Sequence, residues 1–199
     1  MHPKTFALPI LIGIGIGVIT TGVIVLARDD FYWYRNAYTI NHADTSIDAV
    51  FIEDMIPHHE GAIAMATLAE TYAKSEAVRT LAARMFNAQT EEITTMQAWY
   101  LTWFTMPVPT KNTTSNENDM HGMHMNTVSG DETALKNAKD FDKTFLEQMI
   151  PHHEMAIMMA RMLLRTTSRE EMKTLAQNII TTQSAEITEM NTLLAGMKK

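Results

Sequence analysis

The chain has 199 residues, 46% hydrophobic and 20% charged, a balance that excludes a disordered or collagen-like chain and fits one globular domain with an appendage. Its formal charge of −7 makes nucleic acid a poor partner, because phosphate contacts need a basic footprint. With 17 Met, 8 His and no Cys, it has no disulfide, thiolate metal site, Fe–S cluster or Cys nucleophile, so soft-metal chemistry must run through thioether and imidazole.

Thr5 to Ala27 is an uncharged run of 23 residues, long enough to span a bilayer as a helix. Lys4 precedes it and Asp29 and Asp30 follow, so the positive-inside rule keeps the N-terminus cytoplasmic and sends the rest outward. Two forms of residues 1–27 are open. The length and the Gly13-x-x-x-Gly17 spacing suit a retained transmembrane anchor, while Val25-Leu26-Ala27 suits cleavage of a signal peptide. Chance in a Gly-containing apolar run explains the Gly spacing as well as helix pairing does. Residues 28–44 form a juxtamembrane segment whose Phe31, Tyr32, Trp33 and Tyr34 suit a membrane interface. Both forms export the remaining chain, which carries 15 basic and 23 acidic groups. The expected place is the periplasm or the extracellular space, with membrane contact only through the N-terminal helix. In an oxidising compartment a free Cys oxidises or cross-links, which gives the absence of thiols a physical reason.

An internal duplication organises the rest. F-I-E-D-M-I-P-H-H-E-G-A-I-A-M-A at 51–66 realigns with F-L-E-Q-M-I-P-H-H-E-M-A-I-M-M-A at 145–160, an offset of 94. The same offset matches Leu81, Gln89, Glu92, Ile93, Thr94 and Met96 to Leu175, Gln183, Glu186, Ile187, Thr188 and Met190 without a gap. Leu81, Met85, Gln89, Glu92 and Met96 recur at helical spacing, as do Leu175, Ile179, Gln183, Glu186 and Met190. Each unit is thus predicted to be a helical hairpin, 45–103 and 132–199, broken near 73–76 and 166–169. Two hairpins that bury their apolar stripes against each other give an all-α four-helix bundle over 45–199, preceded by the N-terminal transmembrane or signal helix. Pro57 and Pro151 sit inside the first helix of each hairpin and either kink it or open a new segment, releasing carbonyls near Glu53 and Glu147. Ser168 with Glu171 reads as a capping box for the last helix, and Gly196 as its stop.

Residues 104–131 join the hairpins and are rich in Pro, Asn, Ser, Thr and Gly, the composition of a mobile linker. Within it, D-M-H-G-M-H-M places Met120, His121, Met123, His124 and Met125 together, five soft or borderline donors in six positions. Core packing does not explain Met in a polar linker. Thioether and imidazole select Cu(I), and by analogy Ag(I), over hard ions, and Gly122 lets the flanking ligands converge.

The two M-I-P-H-H-E motifs repeat that donor set on helices. Met55 precedes His58 by three residues and His59 by four, so its sulfur shares a face with either. Met149 relates identically to His152 and His153, and Met65 and Met159 lie seven residues beyond His58 and His152. The second copy adds Met155, Met158 and Met162 around His152. A Met at helical spacing is ordinarily core filler; adjacent His pairs occurring twice beside Met point to ligation. Glu60 and Glu154 either orient an imidazole or face water, and Gln89, Glu92, Gln183 and Glu186 reach the same pocket or bond between helices.

Enzyme signatures are missing. A di-iron carboxylate bundle needs Glu-x-x-His, but Glu53, Glu60 and Glu147 are followed at the third position by Ile56, Ile63 and Ile150. H-E-x-x-H also fails, since His59-Glu60 and His153-Glu154 lead to Ile63 and Ile157. There is no Gly-rich phosphate loop and no G-x-S-x-G.

The duplicated M-I-P-H-H-E, with its downstream Q-x-x-E-I-T-x-M, resembles a small bacterial family of unknown-function domains with a ferritin-like four-helix bundle. The resemblance covers about residues 45–197. It implies an exported Cu(I)- and Ag(I)-binding protein serving copper resistance rather than an enzyme, with Met55, His58, His59, Met149, His152 and His153 as ligands. Gly61 and Ala64 stand where the second copy has Met155 and Met158, which makes the first copy the poorer site. Copper ions are the expected partner, with copper-export or sensor proteins as candidate protein partners. The other reading is a membrane-anchored structural or interaction module whose Met are simply core. Because imidazole binds metal only when neutral, His ligation is expected to weaken as pH falls through roughly 6.5, while thioether ligation persists.

Overall fold

The computed structural model describes residues 46–109 and 131–197, and all of them fall within one unit, Thr45–Lys199. The apolar N-terminal run and the Met120–Met125 cluster, with His121, Met123 and His124, lie outside the described residues. Among the described residues no helix is long and apolar enough to cross a membrane.

The protein is all-α. Four long helices, α1 (Ile47–Tyr72), α2 (Glu76–Phe104), α4 (Phe141–Thr166) and α5 (Glu170–Met197), are joined by a short α3 (Glu132–Lys136). Helices α1 and α2 form one hairpin and α4 and α5 the other, each closed by a three-residue turn at 73–75 or 167–169. The two hairpins meet chiefly along α1 and α4.

Local chemistry sets the helix ends. The Ser46 hydroxyl accepts the Asp48 N–H at α1, Asp131 accepts from Ala134 at α3, and Asp140 accepts from Lys143 at α4. Helix α2 ends at Thr105, whose φ of 56° places it in the left-handed region, with Pro107 and Pro109 beyond. Both α1 and α4 continue through Pro57 and Pro151, which lie on the exposed side where the lost hydrogen bond faces water. The last helix differs from the capping expectation: Thr167, not Ser168, offers its hydroxyl to a main-chain N–H, that of Arg169. It also runs through Gly196 to Met197. Helix α3 was not predicted, because five residues are too few to show a period. It docks through Leu135, which is fully buried.

The duplication appears as a reciprocal contact. Asp142 at the start of α4 accepts the N–H groups of Lys74 (2.9 Å) and Ser75 (2.8 Å) in the turn of the first hairpin. Its counterpart Asp48, at the start of α1, pairs with Arg169 (3.1 Å) in the turn of the second. The start of each of these helices therefore meets the end of the other, so α1 and α4 run antiparallel and are related by an approximate twofold axis. A core of Met65, Leu81, Met85, Phe145, Leu146, Met149 and Met190 fills one half of the bundle.

Candidate metal centre

The approximate axis passes through the two motifs. His58, His59, His152 and His153 are 6, 0, 1 and 0% exposed. The rings of His58 and His152 lie against each other, centroids 3.7 Å apart and planes tilted by 41°. His59 stands 6.2 Å from His58, and His153 stands 6.3 Å from His152. The four imidazoles predicted at offset positions are thus brought into one cluster at mid-helix, where α1 crosses α4.

Their hydrogen bonding divides them into two kinds. His59 Nε2 lies 2.6 Å from Glu92 Oε2, and His153 Nε2 lies 2.8 Å from Glu186 Oε2. Each carboxylate comes from the second helix of the same hairpin. Neither nitrogen of His58 or His152 has a hydrogen-bond partner, nor has Nδ1 of His59 or His153. The side-chain amide of Gln89 and the carbonyl oxygen of Gln183, at equivalent positions, are likewise buried without partners. Buried polar groups in native proteins are ordinarily paired, so unpaired ring nitrogens on four clustered histidines point to a site that receives a ligand.

Burial sets the protonation of the inner pair. Desolvation, reinforced by the neighbouring imidazoles His152, His59 and His153, holds His58 well below its ordinary value of 6.5. Desolvation, with His153 and His59, pushes His152 down to about 3. In each case the facing main chain offsets only a small part. Both rings are therefore neutral, lone-pair donors at neutral pH, and the expected weakening near 6.5 does not describe His152.

The thioether donors are distributed unevenly. Met55, Met65, Met149 and Met159 are fully buried. Met65 and Met149 sit in the apolar core with Phe145 and Leu146, where packing alone accounts for them. Met155, Met158 and Met162 are half-buried on α4. Glu60 and Glu154 are exposed, which resolves their reading toward water. Among the described residues no three His, Asp or Glu side chains converge closely enough to hold one metal ion together, the four histidines included. Glu92 and Glu186, read from the sequence as reaching the same pocket or bonding between helices, do bond between helices, each to the outer histidine of its own hairpin.

The family profile described as Domain of unknown function (DUF305) matches residues 48–194, and the chain belongs to that family. CopM in the Cu(I)-bound form is 39% identical, with a TM-score of 0.66, over 76% of this chain and 98% of that one. CopM in the Ag-bound form obtained by soaking is 40% identical, with a TM-score of 0.64, over 75% of this chain and 95% of that one. A DUF305 fragment from Deinococcus radiodurans is 28% identical, with a TM-score of 0.62, over 76% of this chain and 97% of that one. An uncharacterized protein of Acanthamoeba polyphaga mimivirus is 47% identical over 53 residues, 27% of this chain. That match spans about a third, 35%, of the length of the curated relative.

Proposed function

We propose that this DUF305 member binds copper as Cu(I), with Ag(I) as surrogate, in the cell envelope, and that it sequesters the ion for copper resistance or homeostasis rather than catalysing a reaction. One observation carries the reading: His58 and His152, neutral and buried at the centre of the bundle, have no hydrogen-bond partner on either ring nitrogen, so each ring offers one lone pair to an ion. The donor set fits a soft monovalent ion. Neutral imidazole and thioether bind without proton loss, and the surrounding apolar helices disfavour strongly hydrated hard ions. His58 with His59, and His152 with His153, would supply the imidazoles, with Met55 and Met159 as buried thioethers and Met155 and Met158 as half-buried ones, while Met65 and Met149 stay with the apolar core. Similarity to CopM, solved in Cu(I)-bound and Ag-bound forms, supports the cargo. The Met120, His121, Met123, His124 and Met125 cluster is a second binding segment in this reading, argued from composition alone. The N-terminal 1–27 segment, by export or anchoring, delivers residues 45–199 to the envelope, where copper-export or sensor proteins are the natural recipients.

Native mass spectrometry of metal-free protein titrated with Ag(I), or with Cu(I) under reducing conditions, tests this. Several ions per chain are expected, and fewer in a variant carrying His152→Ala and His153→Ala. A chain that stays unmetallated overturns the reading in favour of a structural module.

A further inference from the structure

The outer rings of the cluster each use one nitrogen only. Nε2 of His59 and His153 meets a carboxylate at 2.6 and 2.8 Å, while Nδ1 of both is buried without a partner. When the carboxylate accepts in that contact, the ring hydrogen it takes is on Nε2. In a neutral imidazole the lone pair is then on Nδ1. Left empty in a dry interior, such an acceptor costs free energy that a ligand recovers. A second imidazole is close by on the same helix: the ring centroids of His58 and His59 are 6.2 Å apart and those of His152 and His153 are 6.3 Å apart. Two imidazoles on opposite sides of one ion, with metal–nitrogen bonds of about 2.0 Å, place their centroids roughly 6 Å apart.

We propose that Glu92 and Glu186 are positioning residues that hold His59 and His153 in the Nε2-protonated form, so that Nδ1 of each ring, with a nitrogen of the adjacent His58 or His152, takes one soft monovalent cation per repeat. This rests on the copper-binding reading above and adds the ligand atom and the two residues that select it. The arrangement is built twice, once in each copy, by an acid 33 residues from its histidine. Orientation of a ligating imidazole by a carboxylate on its other nitrogen is the general device by which proteins settle which nitrogen binds metal. Glu92 also lines a groove between α2 and α5 with Glu91, Trp99, Glu170 and Glu171. Its side chain is 18% exposed while His59 is fully buried, so one carboxylate touches both water and the inner ring. Negative charge along that groove raises the local concentration of approaching cations.

The test uses the full-length protein, metal-free and labelled with nitrogen-15, with long-range proton–nitrogen correlations of the imidazole rings recorded before and after addition of silver nitrate. Before silver, His59 and His153 are expected to carry their proton on Nε2. On binding, their Nδ1 resonances are expected to shift while Nε2 keeps its proton. Glu92→Leu is expected to abolish the tautomer preference of His59, leave His153 unchanged, and weaken silver binding at the first repeat about 10- to 100-fold with helix content retained. Glu186→Leu is expected to do the converse. If either variant fails to fold, the unmodified protein's spectra decide. Protonation on Nδ1 before silver, a silver-induced shift at Nε2, or silver bound with neither ring affected overturns this assignment and leaves the copper reading standing. No silver bound at all overturns both.

Discussion

His58 and His152 face each other across the bundle with no side-chain polar partner, an arrangement that costs the metal-free protein stability whenever solvent offers a proton. In the unfolded chain both rings titrate near 6.5, whereas folding holds His58 well below that and His152 at about 3. The unfolded state therefore binds more protons as pH drops below 6.5, and linkage makes the folded state less stable over that range. The stabilising contribution is whole above about 6.5, declines as pH falls, and for His152 has no further to fall below about 3. Urea unfolding of metal-free protein at pH values from about 7 to about 5 is expected to give a steadily falling midpoint, flattened by His152→Leu. A midpoint unchanged across that range would contradict the burial of this pair. The motif P-H-H announced that these four residues matter together. That one of each pair finds an acid while the other finds none was not legible, because Glu92 and Glu186 approach from other helices.

At the scale of elements, the two duplicated aspartates make unequal contacts. Asp142 is buried and accepts two main-chain N–H groups at the turn into α2. Asp142→Ala strands those donors and is expected to cost about 1–3 kcal/mol. Asp48 is itself buried and pairs with Arg169, which also lies over the Trp103 ring, so Arg169→Ala strands a buried carboxylate and is expected to be the larger loss, about 3 kcal/mol. Chemical denaturation of the two variants side by side checks the ranking, and equal losses would count against it. Leu135→Ala tests the unpredicted helix α3. This fully buried residue anchors a five-residue helix to the core, and its truncation is expected to cost about 2–5 kcal/mol. The long helices were readable from their period and the turns from where that period broke. The helix ends were not, because capping depends on which hydroxyl or carboxylate reaches an N–H, and Thr167 won over Ser168 by geometry.

For the molecule as a whole, an ion ligated by buried rings that Glu92 and Glu186 hold in place would favour the folded state over the open chain. Silver at about 100 times its dissociation constant is expected to stabilise the protein by about 2.7 kcal/mol, read as a raised Tm in scanning calorimetry. The variant with His152→Ala and His153→Ala is expected to lose most of that rise. A Tm indifferent to silver would show that any bound ion sits outside the cooperative fold.

A repeat with an offset of 94 and a helical period dictated two like hairpins, since any other packing would leave their apolar stripes in water. It also dictated that whatever the His pairs do, they do twice. Only the packed structure decided that the copies meet along α1 and α4 in antiparallel register, which sets His58 against His152 at the crossing and leaves the acid-bearing helices outside. The reason is that sequence spacing constrains neighbours within one helix, while contacts between helices depend on the rotation and register of rigid bodies that no local pattern specifies.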